Sequence, residues 1–281
     1  MNRETNSSFE RNMKLVSSFL AAATALTDDE FAAFTCREGT FYQYSVGENG
    51  SETAIASASN NFQGCHPSQE VPCVKEELPA CSVSFVMGSS RIRVTTNGVP
   101  DHNAWSLENN AAIVGSEKKY RFAIVPTLLE NGAYTVANEG TVGFALNGVD
   151  IYHGYNADTC CDFAIDKYDK IDFCTGYASP TFPSYGRYHY HFYPASIDGY
   201  SGCLVDTCDM DSASPIVGVA LDGFPIYGPV QYYSESEGKV YIDPANCSDG
   251  CPLTRLDTTT LDVCNGIEVA DGNADDGTTF R

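Results

Sequence analysis

Two eleven-residue segments constrain this chain more than any other feature. Val142-Gly143-Phe144-Ala145-Leu146-Asn147-Gly148-Val149-Asp150-Ile151-Tyr152 aligns with Val217-Gly218-Val219-Ala220-Leu221-Asp222-Gly223-Phe224-Pro225-Ile226-Tyr227, with seven identities and Asn147 facing Asp222. Asn-Gly and Asp-Gly between apolar runs are strong hairpin signals, because both residues tolerate the positive φ of a tight turn. Further on, Ile171-Asp172-Phe173-Cys174-Thr175-Gly176 parallels Leu261-Asp262-Val263-Cys264-Asn265-Gly266. The shared order is strand, turn, strand, long loop, then Asp-x-Cys-x-Gly, which reads as two related β units. Upstream, residues 82–87 and 91–96 alternate as two strands around Gly88-Ser89-Ser90, and residues 120–125, 132–136 and 141–146 read as further strands. One short helix is expected near residues 28–35. The expected fold is mainly β: an antiparallel β-rich, disulfide-stapled domain with an internal repeat of two related units.

The first residues read as a targeting segment. Met13-Lys14 precedes an apolar run at residues 15–25 ending in Ala23-Thr24-Ala25, a small-x-small cleavage pattern. Residues 1–25 are therefore expected to be a signal peptide, with Met13 the better start. The competing reading is an ordinary N-terminal helix. The run is too short for a membrane span, and no other stretch qualifies. Twelve cysteines agree with an oxidising compartment, where they would form up to six disulfides. Cys203 with Cys208, and Cys247 with Cys251, are spaced to close short loops. Zinc at Cys247 and Cys251 is the rival for the second pair, though no second pair or nearby His completes four ligands. Asn6, Asn49 and Asn246 head glycosylation sequons, consistent with a secreted or cell-surface glycoprotein. Residues 26–80, with Cys36, Cys65 and Cys73, form an N-terminal region rich in Ser, Asn, Glu and Gly. Residues 81–281 form the β domain.

A formal net charge of −21 repels nucleic-acid phosphates and anionic membranes, so neither is an expected partner. It suits solubility in an extracellular medium, and it also attracts divalent cations. Asp271-x-Asn273-x-Asp275-Asp276-Gly277 resembles the start of a calcium loop, but its Gly is one place late and the closing Glu is missing. The chain has no Gly-x-Ser-x-Gly elbow, phosphate-binding Gly-Lys loop or HExxH helix.

The chemistry concentrates at Tyr188-His189-Tyr190-His191. On a strand, His189 and His191 face one way and Tyr188 and Tyr190 the other. Same-face H-x-H suits one zinc or copper ion. It equally suits a packed polar cluster of histidines among tyrosines. His102, in the turn Asn97-Gly98-Val99-Pro100-Asp101-His102, is the natural third ligand, and His153, at the end of the first hairpin, a fourth. Tyr188, Tyr190 and Asp222 are the expected outer hydrogen-bonding positions. Asp222 also reads as a simple turn former.

These residues resemble the YHYH-domain family. The resemblance rests on the Tyr-His-Tyr-His run, the segment from Val217 to Pro229 and Leu261-Asp262-Val263-Cys264-Asn265-Gly266, and it is taken to extend over residues 81–281. It implies a secreted or surface protein of a family without an assigned activity. Asp150 stands where that family's motif tends to carry Pro. A second histidine-bearing strand would begin just after Arg281 if the repeat continued, so the sequence reads as truncated at its C-terminus. The functional expectation is a protein that binds zinc or copper through a histidine cluster. The alternatives are a non-catalytic extracellular structural or adhesive module meeting glycan, matrix or a small ligand, and a secreted metal-dependent hydrolase.

Overall fold

The computed structural model describes residues 32–46, 73–106, 112–126, 140–153, 171–179, 185–196, 202–205, 211–257, 259–261 and 266–270. The expected signal peptide, most of the residue 28–35 helix, the residue 132–136 strand, the sequons at Asn6 and Asn49, the vicinal pair Cys160-Cys161 and the acidic residues 271–281 lie outside them. The chain is strand-rich, and its sheets are mostly antiparallel.

The two aligned segments supply four adjacent strands of the largest sheet, from one edge inward. The first forms β7 (Thr141–Ala145) and β8 (Asp150–Tyr152), and the second β11 (Ile216–Ala220) and β12 (Pro225–Tyr227). The turn glycines Gly148 and Gly223 have φ of 78° and 100°, the left-handed conformation such turns require. The two hairpins pair with each other, Val219 lying opposite Phe144. Their bonds match: the Leu146 N–H donates to the Val217 carbonyl at 2.9 Å, and the Leu221 N–H to the Val142 carbonyl at 2.9 Å. The strands pass so closely that a Cβ on Gly143 would meet the Val219 carbonyl at 2.7 Å, and one on Gly218 the Phe144 carbonyl at 2.4 Å. Beyond β8 the sheet continues with β10 (Tyr188–Tyr190) and β9 (Gly176–Ala178), in the order β12-β11-β7-β8-β10-β9. The β8–β10 pair is parallel, with His189 beside Asp150 and Tyr190 beside Ile151.

Each face of this sheet meets a different cluster. On one side the antiparallel sheet β3 (Val83–Met87), β4 (Arg91–Thr96) and β6 (Lys118–Ala123) turns Ile92, Val94 and Phe122 inward onto Phe144 and Val219. Tyr120 stacks on Phe144 with ring centroids 5.0 Å apart. On the other side Tyr188, Tyr190, Ala178 and Ala145 pack with Val99, Ala104 and Leu78. Burying each such large side chain stabilises by about 1.5–3 kcal/mol relative to exposure. Near this second cluster lies a smaller sheet of β1 (Tyr42–Val46), β2 (Cys73–Glu77) and β5 (Ala104–Ser106), in which β1 and β5 are parallel. A third small sheet joins β13 (Val230–Ser234) to β14 (Lys239–Tyr241) and β15 (Leu253–Arg255). Asn246, the sequon within the described residues, is exposed at the end of a short 3-10 helix.

Among the described residues three disulfides staple these parts: Cys36–Cys81, Cys174–Cys203 and Cys247–Cys251. The last is the short loop expected from spacing, and its sulfurs bond each other, which corrects the rival zinc reading there. The expected Cys203–Cys208 pairing is also corrected. The Asp172 turn brings Cys174 to a Cα separation of 5.2 Å from Cys203, a long-range approach that sequence spacing does not record. Arg37, next to Cys36, is drawn into the same region. Its guanidinium donates to the carbonyls of Asp101, Gly202 and Cys203 and to Asp101 Oδ2.

Candidate metal centre

Strand β10 separates two chemistries, because its side chains alternate faces. The tyrosines enter the buried cluster. The Tyr188 hydroxyl donates to Asp172 Oδ2 at 2.8 Å. Asp172 also accepts from the backbone N–H groups of Cys174 (2.9 Å), Gly176 (3.0 Å) and Trp105 (3.3 Å). Burial outweighs these four bonds and raises its pKa to about 6. Gly176 is required where it stands, since a Cβ there would fall 1.9 Å from the Tyr188 hydroxyl.

Tyr190 belongs to a second buried network. His102 Nδ1 lies 2.8 Å from the Asn103 carbonyl and must donate to it, so Nε2 accepts from the Tyr190 hydroxyl at 2.7 Å. The same hydroxyl accepts from Asn147 Nδ2 at 3.0 Å, and Asn147 Nδ2 also donates to Asp101 Oδ1 at 2.8 Å. Asp101, His102, Asn147 and Tyr190 are all fully buried. Burial lowers the pKa of His102 to about 4 and raises that of Tyr190. Both rings therefore stay neutral across the physiological range, as the hydrogen-bond pattern demands.

On the opposite face His189 and His191 meet. Their Nε2 atoms are 3.0 Å apart. His189 Nδ1 points at the Arg187 carbonyl (3.1 Å) and His191 Nδ1 at the His153 carbonyl (3.3 Å). Tyr152 stacks on His189 with centroids 4.0 Å apart, and the Tyr177 ring meets His189 edge-on at 5.6 Å. Asp150 occupies this same face of β8. It accepts from Lys118, which reaches in from the end of β6, from Tyr120 and, at 3.2 Å, from Thr141. Burial is the largest cause holding the pKa of His189 down at about 4 and that of His191 at about 3; the neighbouring imidazole adds to the latter.

The structure therefore brings His189 and His191 together but sets His102 on the other face, in the tyrosine network. His153 contributes its backbone carbonyl to His191, and its side chain lies close enough to disfavour charge there. Tyr188 and Tyr190 point away from the histidine pair. Asp222 is exposed in the second hairpin turn, where it accepts from the Phe224 N–H at 3.4 Å, the turn-forming role. Sequence reasoning missed Tyr152, Tyr177, Asp150 and Lys118. Alternation along β8 could have placed Asp150 and Tyr152 on one face, but only the parallel register sets that face beside the histidines. Among the described residues no third His, Cys, Asp or Glu donor joins the two Nε2 atoms within 4.8 Å; the one group of three at that range is Cys247, Asp249 and Cys251.

Among the described residues no helix is long and apolar enough to cross a membrane. No curated protein and no solved structure matches the chain. A family model does match, over residues 119–278, so the turn carrying His102 falls outside it while both hairpins, the Asp172 turn and the histidine strand fall within. The match is to YHYH protein and spans more than half of the 281 residues, so the chain belongs to the YHYH protein family.

Proposed function

We propose that this is a secreted or cell-surface protein that binds a transition metal between His189 and His191. The observation that carries this reading is the facing pair of Nε2 atoms. If both Nδ1–H groups donate to their carbonyls, two Nε2 lone pairs confront each other at 3.0 Å. If one ring takes the other tautomer and donates across the gap, its Nδ1 lone pair then faces a carbonyl oxygen. Either neutral arrangement leaves one repulsive contact in a largely buried place, and burial disfavours a proton in the gap. A bound cation removes the conflict. The carbonyls then fix the ring orientation, as partners of ligating histidines commonly do.

Two neutral imidazoles are suitable ligands for copper or zinc, so both stand as candidates. Copper bound here would supply a redox-capable centre, and the chain's own residues would hold and orient it. The three disulfides agree with an extracellular setting.

The experiment is metal analysis of protein from a secretory host, with spin resonance of the copper-loaded form, beside a His189→Ala/His191→Ala variant. One equivalent of copper or zinc in the parent and none in the variant is expected. Equal metal content in the two proteins would remove the proposal. A metal-free parent whose variant loses stability would favour the structural-module reading instead.

A further inference from the structure

Strands β4 and β6 turn their apolar residues inward, so their alternate residues form one outward face. That face carries Arg91 and Arg93 on β4 and Lys119 and Arg121 on β6, all exposed. Arg93 lies directly opposite Arg121, and Lys119 opposite Thr95. Exposed Ser84 and Val86 of β3 complete the face beside Thr95 and Arg93. The chain has only 16 Lys and Arg against 37 Asp and Glu, so four cations on one small sheet face reverse the sign of the rest of the molecule. Lys119 pairs with the exposed Glu117 at 2.8 Å. Among the described residues Arg91, Arg93 and Arg121 have no ion-pair partner. Like charges directly opposite in an antiparallel pair destabilise it. Arg93 opposite Arg121 therefore weakens the sheet unless an anion lies across both.

We propose that this face is a docking surface for an acidic polysaccharide, with Arg91, Arg93, Arg121 and Lys119 gripping its carboxylate or sulfate groups. Neighbouring strands set the cations about 5 Å apart, and alternate residues along a strand about 7 Å apart, a two-dimensional array suited to charges repeated along an extended polymer. Guanidinium forks match carboxylate and sulfate oxygens two at a time. The hydroxyls of Ser84 and Thr95 lie on the same face and suit the uncharged hydroxyls of sugar rings. Nucleic acid fits less well, because its dense phosphate charge would meet a protein of net charge −21 beyond the patch.

The test uses the full chain at about 0.15 M salt, where exposed charges act over about 8 Å. Titrations with heparin and with polygalacturonate probe sulfate and carboxylate polymers, and a double-stranded oligodeoxynucleotide probes the alternative. The parent is expected to bind at least one polysaccharide. Arg93→Glu/Arg121→Glu should weaken that binding at least tenfold, Arg91→Gln/Arg93→Gln should weaken it less, and Arg255→Glu, on the remote strand β15, should leave it unchanged. Arg121→Glu alone should raise the melting temperature by setting a carboxylate opposite Arg93. Absence of binding to both polysaccharides, undiminished binding by both double variants, or tighter binding to the oligonucleotide overturns the proposal.

Discussion

The two faces of β10 come from four consecutive residues, yet they carry different chemistry. On the tyrosine face each proton has a place: Tyr188 gives its own to Asp172, Tyr190 to His102, and Asn147 to Tyr190 and Asp101. On the histidine face the buried His189 and the partly exposed His191 face each other, with their Nε2 atoms 3.0 Å apart. A buried polar network stabilises a fold only when all its members are satisfied. The tyrosine half therefore reads as architecture, and the histidine half is where the metal proposed above would bind. One strand serves both ends because alternation keeps the two sets of side chains apart.

The sharpest way to break the contrast is Asp172→Ala. It strips the acceptor from Tyr188 and from three backbone N–H groups, two of them in the turn that carries Cys174. A loss of about 3–5 kcal/mol is expected from stranded buried donors, read by chemical denaturation with the disulfides intact. A loss below about 1 kcal/mol would show that the carboxylate is not the centre of the tyrosine face.

Acid should affect the two faces in related ways. His102, His189 and His191 have folded pKa values of about 4, 4 and 3, below the ordinary 6.5. Between pH 6.5 and 4 the unfolded chain therefore binds protons at these sites that the folded chain does not, and stability falls as pH falls. Asp172 works in the other sense, because its folded pKa of about 6 exceeds the ordinary 3.8. The folded chain takes its proton first, so this group adds stability as pH falls through about 6 towards 3.8. Three histidines against one carboxylate give a net loss, on the order of 2 kcal/mol per pH unit at its steepest in metal-free protein. Denaturation curves across that range check it, and His102→Gln should flatten the slope by about one proton. A stability that rises towards pH 4.5 would contradict the burial of the three rings.

How much of this the sequence made legible depends on how local the cause is. Asn147-Gly148 and Asp222-Gly223 announce their turns, and β4 runs over residues 91–96 as its alternation predicts. The common direction of His189 and His191 follows from period two alone. The position of His102 does not. It depends on which face of β10 the loop carrying Asp101 reaches, and that is fixed by contacts 88 residues apart in sequence. The partner of Cys203 was hidden for the same reason. The cationic face was half visible, since Arg-x-Arg and Lys-x-Arg alternate in two strands, but only pairing puts Arg93 against Arg121.

The smallest expected effect sits where the two faces touch. Thr175, in the Asp172 turn, has φ of 64°, uncommon for a β-branched residue. Its N–H donates to the Asp172 carbonyl, its hydroxyl donates to the Tyr193 carbonyl at 2.9 Å, and its own carbonyl accepts from the His191 N–H at 3.4 Å. Asn tolerates this conformation better. Thr175→Asn should exchange backbone strain for a lost hydroxyl bond and change stability by less than about 1 kcal/mol, while shifting metal affinity measurably through His191. An unchanged affinity beside a changed melting temperature would separate the turn from the histidine pair.

The parallel pairing of β8 with β10 has a consequence for the order of events in folding. The β3–β4, β7–β8 and β11–β12 hairpins can each zip from a tight turn within a short stretch of chain. Strand β10 can close locally on β9, but its parallel pairing with β8 cannot form until residues 153–187 close a loop and bring His189 to Asp150. Long-range strand pairing of this kind is slow compared with hairpin closure. The surroundings of the histidine pair are thus completed late, when Tyr152 and the His153 carbonyl of the first hairpin come to lie against His189 and His191. If the proposed metal needs these surroundings to bind, its uptake should follow the slow phase of refolding and so time the docking of this one strand.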